Sequence, residues 1–236
     1  NKVIAKLDTD FFDTHINHMK EDRLLTLAGE QSASTEKIDS WLDPYEIYQA
    51  ERAKDADPDR ARKPTEYSYN VIVQIEGDEI SSKATAHAFS KHPDNSMIIQ
   101  YDIKSRQYKI IHGEINRLNS DRVRWITVGH GGYIGGGKPT LYGKNTPEQF
   151  AEGMSYLRKK ILNSQSPDKL VLIGCNLGRG GVSENFAFGV TGALAEKGMK
   201  MPIIAYNRKV SVIYILMEKF LSPSSSKDPI SFPMSL

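Results

Sequence analysis

From residue 67 onward, short β-branched apolar runs alternate with longer segments of helical character, and two of the runs end in glycine followed by a reactive side chain. The runs lie at 70–75 (NVIVQI), 96–101, 107–111, 124–128 (RWITV), 169–173 (KLVLI) and 202–205. Residues 79–91, with Asp78 as N-cap, 147–162 and 183–197 read as helices. Strands alternating with helices call for a mostly parallel sheet with helices on both faces, an α/β fold.

Upstream, residues 1–66 read as a polar helical N-terminal arm and linker. Phe11, Phe12, Ile16 and Met19 suggest one amphipathic helix, and Ile38, Trp41, Leu42, Tyr45 and Tyr48 a second with a period near 3.6. The charged stretch 55–64, with two prolines, reads as a linker. The domain expected to carry function is 67–236. Near its end, 210–221 is apolar enough to read as a further helix, and 222–226 as a loop.

Composition narrows the function classes. A net charge of +2 and a pI of about 8.5 are too mild to argue for nucleic acid. The single cysteine, Cys175, excludes an internal disulfide and a thiolate zinc cluster, and suits a reducing compartment. No apolar run approaches the roughly 18 residues of a membrane span. The chain starts at Asn1 and reads as a piece of a larger polypeptide.

The chemistry is expected where the two strands end, at Val128-Gly129-His130-Gly131 and at Ile173-Gly174-Cys175-Asn176. Sites in open α/β sheets form beyond the carboxyl ends of strands. If these strands are parallel neighbours, an imidazole and a thiol sit side by side. The glycines let a substrate backbone approach and leave N–H groups to bind an oxyanion. A cysteine after an apolar strand also suits core packing, and a loop histidine is also satisfied by backbone. Their arrival as strand-end partners favours nucleophilic catalysis. No metal is expected, because His15 and His18 have the spacing of a solvated helix face. The Gly-rich run 130–137 resembles an esterase oxyanion loop, yet the sequence has no G-x-S-x-G elbow. Gly135 to Lys138 is followed by Pro139-Thr140, a poor phosphate cradle.

Four stretches, 71–78 (VIVQIEGD), 88–96 (AFSKHPDNS), 124–131 (RWITVGHG) and 172–176 (LIGCN), carry a specific resemblance. In order and spacing they are similar to the autoprocessing cysteine protease domain of MARTX toxins and of large clostridial glucosylating toxins. That resemblance spans 67 to about 205. It implies a caspase-like fold, cleavage after leucine, Cys175 as nucleophile, His130 as second catalytic residue and Asp78 as the acid that orients it. Asp78 as a plain helix N-cap is the alternative. Backbone N–H groups at Gly131 and Cys175 would hold the oxyanion, and Leu27-Ala28 is the expected self-cleavage site.

The same resemblance connects Lys91 and His92 with an inositol hexakisphosphate region. Family members follow the strand matching 203–205 with a β-hairpin flap rich in Lys and Arg. This chain carries only Arg208, Lys209, Lys219 and Lys227 there. A hexaphosphate needs many cations around it. An apolar segment suits a protein activator better, and the resemblance to MARTX effector proteases implies a host small GTPase of the ADP-ribosylation-factor type as the partner to test. The expected role is a protease released with a larger secreted bacterial toxin, processing its own polyprotein in the host cytosol. The rival is a protease-like module that docks a host protein and has secondary or lost catalysis.

Overall fold

The computed structural model describes residues 38–54, 65–215 apart from 120, 134, 136, 139, 162–164 and 183, then 218–223 and 230–232. The chain divides after Glu36 into two compact units, and every described residue belongs to the second. The candidate cleavage pair Leu27-Ala28, the first expected helix and the linker 55–64 lie outside the described residues.

The strands are β1 (Tyr69–Gln74), β2 (Ser96–Asp102), β3 (Gln107–His112), β4 (Val123–Val128), β5 (Gly131–Gly132), β6 (Leu141–Tyr142), β7 (Lys169–Ile173), β8 (Ile203–Ala205), β9 (Val210–Ile215), β10 (Glu218–Pro223) and β11 (Ile230–Phe232). Seven of them form one sheet in the order β11-β8-β7-β4-β1-β2-β3. The inner five run parallel, and β3 and β11 close the two edges antiparallel. The helices are α1 (Pro44–Arg52), α2 (Glu79–Ser90), α3 (Pro147–Ile161) and α4 (Phe186–Glu196). The expected α/β, caspase-like and mostly parallel architecture is what the chain adopts.

The period of two along each strand divides the core into two layers. Val71, Val73, Met97, Ile99, Trp125, Leu170 and Leu172 pack with Phe150, Met154 and Leu157 of α3 and Phe186, Val190 and Leu194 of α4. Ile72, Ile98, Ile126, Val128 and Ile173 face the other way, onto Ala84, Ala88 and Phe89 of α2. Strands apolar on both faces are what a doubly covered parallel sheet requires. Each large side chain fully buried this way contributes roughly 1.5–3 kcal/mol.

Two expectations need correction. The segment 210–221 is not helical: β9 and β10 form an antiparallel hairpin, with Val210 opposite Pro223 and Ile215 opposite Glu218. Val210, Val212, Ile213 and Ile215 are β-branched, and a short apolar run cannot be assigned to helix by periodicity alone. The helix expected around 38–48 is interrupted as well. A 3-10 turn at Ile38–Ser40 precedes α1, and Asp43, held extended before Pro44, caps α1 by accepting from the Tyr45 and Glu46 N–H groups.

These upstream residues pack on the sheet-bearing domain. Tyr45 and Tyr48 meet Phe89 edge-on, and Tyr45 stacks on His112 at 4.1 Å. The Leu42 carbonyl accepts from Gln100 Nε2 at 2.8 Å and from the Ser82 hydroxyl at 3.3 Å. The Trp41 indole lies directly on Gly77, where a Cβ would overlap the ring. Gly77→Ala should therefore lower stability by about 1–3 kcal/mol, as overpacking does. Urea unfolding of Gly77→Ala alone and with Trp41→Ala checks this, and removal of the indole should recover most of the loss.

Candidate active site

Strands β4 and β7 are parallel neighbours in register, with Val128 opposite Ile173. His130 and Cys175 each lie two residues beyond that last pair. The Gly129 N–H donates to the Ile173 carbonyl at 3.1 Å, carrying the pairing one step past the strands. The buried Tyr142 hydroxyl reaches Thr127 Oγ1 and the Ile173 carbonyl, both at 3.1 Å, and ties the two strand ends together. The structure thus brings the two sequence-predicted groups to one edge of the sheet.

Close backbone approach explains the glycine at 131. A Cβ there would run into the Cys175 backbone. At Gly174 a Cβ would meet the Gly129 carbonyl and the Tyr142 ring. Past the thiol, Asn176 turns the chain with φ 59°, a conformation Asn tolerates better than most residues. Its N–H donates to the Arg208 carbonyl at 2.9 Å.

Asp78 makes the contacts of both readings weighed for it. As N-cap of α2 its Oδ1 accepts from the Ile80 and Ser81 N–H groups at 3.0 Å, and the Ser81 hydroxyl donates to Oδ2 at 2.8 Å. The same Oδ1 lies 3.0 Å from His130 Nε2. Burial would raise this carboxyl, but the hydrogen bond and charge of His130, together with Ser81, hold it well below the usual range. Burial would likewise discharge His130, yet the Asp78 bond and the charges of Glu76 and Asp78 outweigh it and raise the imidazole to about 9. With Nε2 engaged, Nδ1 is the nitrogen left to exchange a proton with a reacting group.

The half-buried Cys175 thiol faces the first residue of the hairpin. Its S–H donates to the Val210 carbonyl at 3.6 Å, and it accepts from the Val210 N–H at 3.4 Å. Burial pushes the thiol up, against the lowering effects of Val210 and the Lys209 charge. The site therefore rests with a charged imidazole and an unionised thiol. A thiolate here can attack a carbonyl, and the imidazolium can protonate the leaving amine.

Sequence reasoning missed Glu76. Its Oε2 accepts the His130 backbone N–H at 2.6 Å, and its carboxylate, that of Asp78 and the His130 ring offer ligand atoms within 4.8 Å of one another. Its adjacency to Gly77-Asp78 did not set it apart from a solvent-facing acid. The four cations named for a polyphosphate fall into two groups. Lys91 ends α2 beside Arg124, at the amino end of β4, and His92 follows it. Arg208 and Lys209 follow β8 and sit by Asn176 and Cys175. By strand rise, about 20 Å separates the two groups.

The sequence profile described as the peptidase C80 family matches residues 65–214, more than half of the chain. A multifunctional-autoprocessing repeats-in-toxin protein of Vibrio vulnificus is 23% identical over 146 residues, and its counterpart in Vibrio cholerae serotype O1 is 22% identical over 152. These alignments cover 60% and 63% of this chain, and the chain spans 3% of the length of either relative.

The paired charges set a pH dependence. The raised His130 contributes stability that is complete below its ordinary 6.5 and is lost as pH climbs through about 9. The lowered Asp78 contributes stability present above its ordinary 3.8 and lost as pH falls further. Asp78→Asn keeps a capping side chain and removes the charge. Its deficit against the parent, measured by urea unfolding across pH, should be largest between about pH 4 and 6.5 and shrink towards pH 9.

Proposed function

The chain belongs to the peptidase C80 family of cysteine peptidases, and from that premise we propose that it is an autoprocessing toxin protease that cleaves its own polyprotein after leucine inside the host cell. The observation that carries this reading is the in-register parallel pair β4 and β7, with His130 and Cys175 just beyond it and His130 on Asp78. Among the described residues no helix is long and apolar enough to cross a membrane.

In the proposed reaction Cys175 first loses its proton to solvent, since the charged imidazole cannot take it, and the thiolate attacks the carbonyl carbon of the scissile bond. Backbone N–H groups at Gly131 and Cys175 hold the resulting oxyanion. As the C–N bond breaks, His130 Nδ1 gives its proton to the leaving amine. The neutral imidazole then takes a proton from the water that attacks the thioester, and Cys175 is released. Asp78 fixes ring orientation and charge throughout.

The scissile bond is proposed at Leu27-Ala28, in the arm upstream of the packed residues 38–54. The purified self-cleavage product should begin Ala28-Gly29-Glu30, and a product starting beyond Glu66 would sink that assignment. Cys175→Ala should abolish processing, His130→Ala should lose it nearly as fully, and Asp78→Asn should lose less. Labelling of Cys175 by a thiol-reactive peptide should depend on His130. The rival docking module predicts neither labelling nor processing.

The proposed activator is a host small GTPase of the ADP-ribosylation-factor type, acting through the hairpin and the arm. A second reading has its own observation. Lys91 has no carboxylate partner among the described residues and lies near Arg124, while Arg122, Arg124 and Lys169 surround the Tyr67 ring. A polyphosphate such as inositol hexakisphosphate would find those charges already gathered. The two differ in salt response: polyphosphate activation should weaken steeply as salt rises, protein docking much less. Full activation of the purified chain by inositol hexakisphosphate alone would refute the GTPase.

A further inference from the structure

The acid that sequence reasoning passed over is built into the site more firmly than its neighbour Asp78. Glu76 follows the end of β1, and its Oε2 accepts the His130 backbone N–H at 2.6 Å. Gly129, just before His130, comes so near that a Cβ there would lie 3.3 Å from that oxygen. The Glu76 main chain is pinned as well, because Gln74 Nε2 donates to its carbonyl at 2.8 Å and to Ser82 Oγ at 2.9 Å. The carboxylate therefore has little freedom to leave the histidine. Burial pushes the Glu76 carboxyl up, against the lowering effects of the His130 charge and N–H; the charged or titratable groups around it are Asp78 at the start of α2, His130 after β4, Lys144 in the turn after β6, and the buried Tyr142 hydroxyl of β6.

We propose that Glu76 is a positioning residue for the reaction: it clamps the main chain of His130 at the end of β4 and, with Asp78, keeps the imidazole in its proton-donating form. The inference rests on the peptidase reading and deepens it. Asp78 grips the ring at Nε2, whereas Glu76 grips the backbone, so the two carboxylates hold the histidine at both ends. With Asp78 alone the His130 N–H would lose its partner, and the loop from Gly129 to Gly131 would be held only by the Gly129 N–H on Ile173, the Gly143 N–H on the His130 carbonyl and the pairing of Gly131 with Tyr142. Lys144 opposes the imidazolium charge, and the second carboxylate offsets it. Fixation matters at this position because Gly131 lies against the Cys175 backbone, so movement of the loop would move the oxyanion donors too.

The test separates clamp from charge. Glu76→Gln keeps an oxygen for the His130 N–H and removes the charge, while Glu76→Ala removes both. In the full-length Cys175→Ala protein, where no turnover is needed, the His130 ring is titrated by NMR. Glu76→Gln should lower its midpoint by about one pH unit, with the fold retained. In the active chain the alkaline limb of kcat/KM should fall with it, and Glu76→Ala should lose at least roughly ten-fold more kcat than Glu76→Gln. An unchanged midpoint and an unchanged alkaline limb in Glu76→Gln would overturn the charge role. Equal kcat in the Ala and Gln variants would overturn the clamp. If Glu76→Ala does not fold, Glu76→Asp, which retains charge but shortens the reach, replaces it and should lose kcat without moving the midpoint. Because the NMR arm needs no catalysis, its failure is distinguishable from failure of the peptidase reading, which the Cys175 labelling decides.

Discussion

Everything at the site depends on the parallel pairing of β4 with β7. Side chains alternate along a strand, so a slip of one residue would exchange the two core layers along the whole strand. Trp125 and Leu170 fix one face of the pair, and Ile126 and Ile173 the other. Both faces are covered by helices, so the register is specified from two sides. That is why two residues 45 positions apart in the chain meet at the same height. The catalytic geometry is inherited from the core, and the loops only complete it.

What the core cannot supply is charge, and here the start of α2 matters. A helix N-terminus presents unpaired N–H groups and a partial positive charge. Asp78 satisfies those donors and stays ionised, and its anion then recruits His130. The cap that starts the helix is thus also the electrostatic partner of the site, and the two readings of Asp78 are one arrangement. Glu76, two residues earlier and itself pushed up by burial, is a second acid beside a group that burial alone would discharge. Trp41 on Gly77 presses on the turn between them. The residues ahead of the expected domain boundary therefore bear on the same turn that carries both acids.

The six expected strands, the mostly parallel sheet and the strand-end pair His130–Cys175 were legible because each rests on a local signal: β-branched runs alternating with helical segments, and, at two of them, glycine followed by a reactive group. The family resemblance added Asp78 by position. Glu76 was not legible, because an acid in Gln74-Ile75-Glu76-Gly77-Asp78 looks like solvent-facing punctuation until its distance to residue 130 is known. Trp41 was assigned to an amphipathic helix for the same reason; its real partner is 36 positions away. The hairpin failed for a different reason. In 210–221 the apolar residues are too dense to show either period, so only the pairing of β9 with β10 decides between them.

The proton inventory of the site bears on how the proposed activator would act. With His130 raised to about 9 and Cys175 pushed up by burial, neutral pH leaves a proton on each. The acid for the leaving amine is ready, but the nucleophile is not. Each unit by which the thiol is brought down stabilises the thiolate by about 1.4 kcal/mol relative to the thiol. Val210 acts on that balance in two directions: its N–H favours the thiolate, while its carbonyl accepts the S–H and favours the thiol. Turning the carbonyl away while keeping the N–H would leave only the contact that favours the nucleophile. Val210 is also the first residue of β9, so whatever shifts the hairpin shifts the two peptide groups that flank its Cα. A ligand that binds the shifted hairpin more tightly than the resting one would supply the difference, whether it is a protein or a polyanion, because differential affinity is all that activation requires.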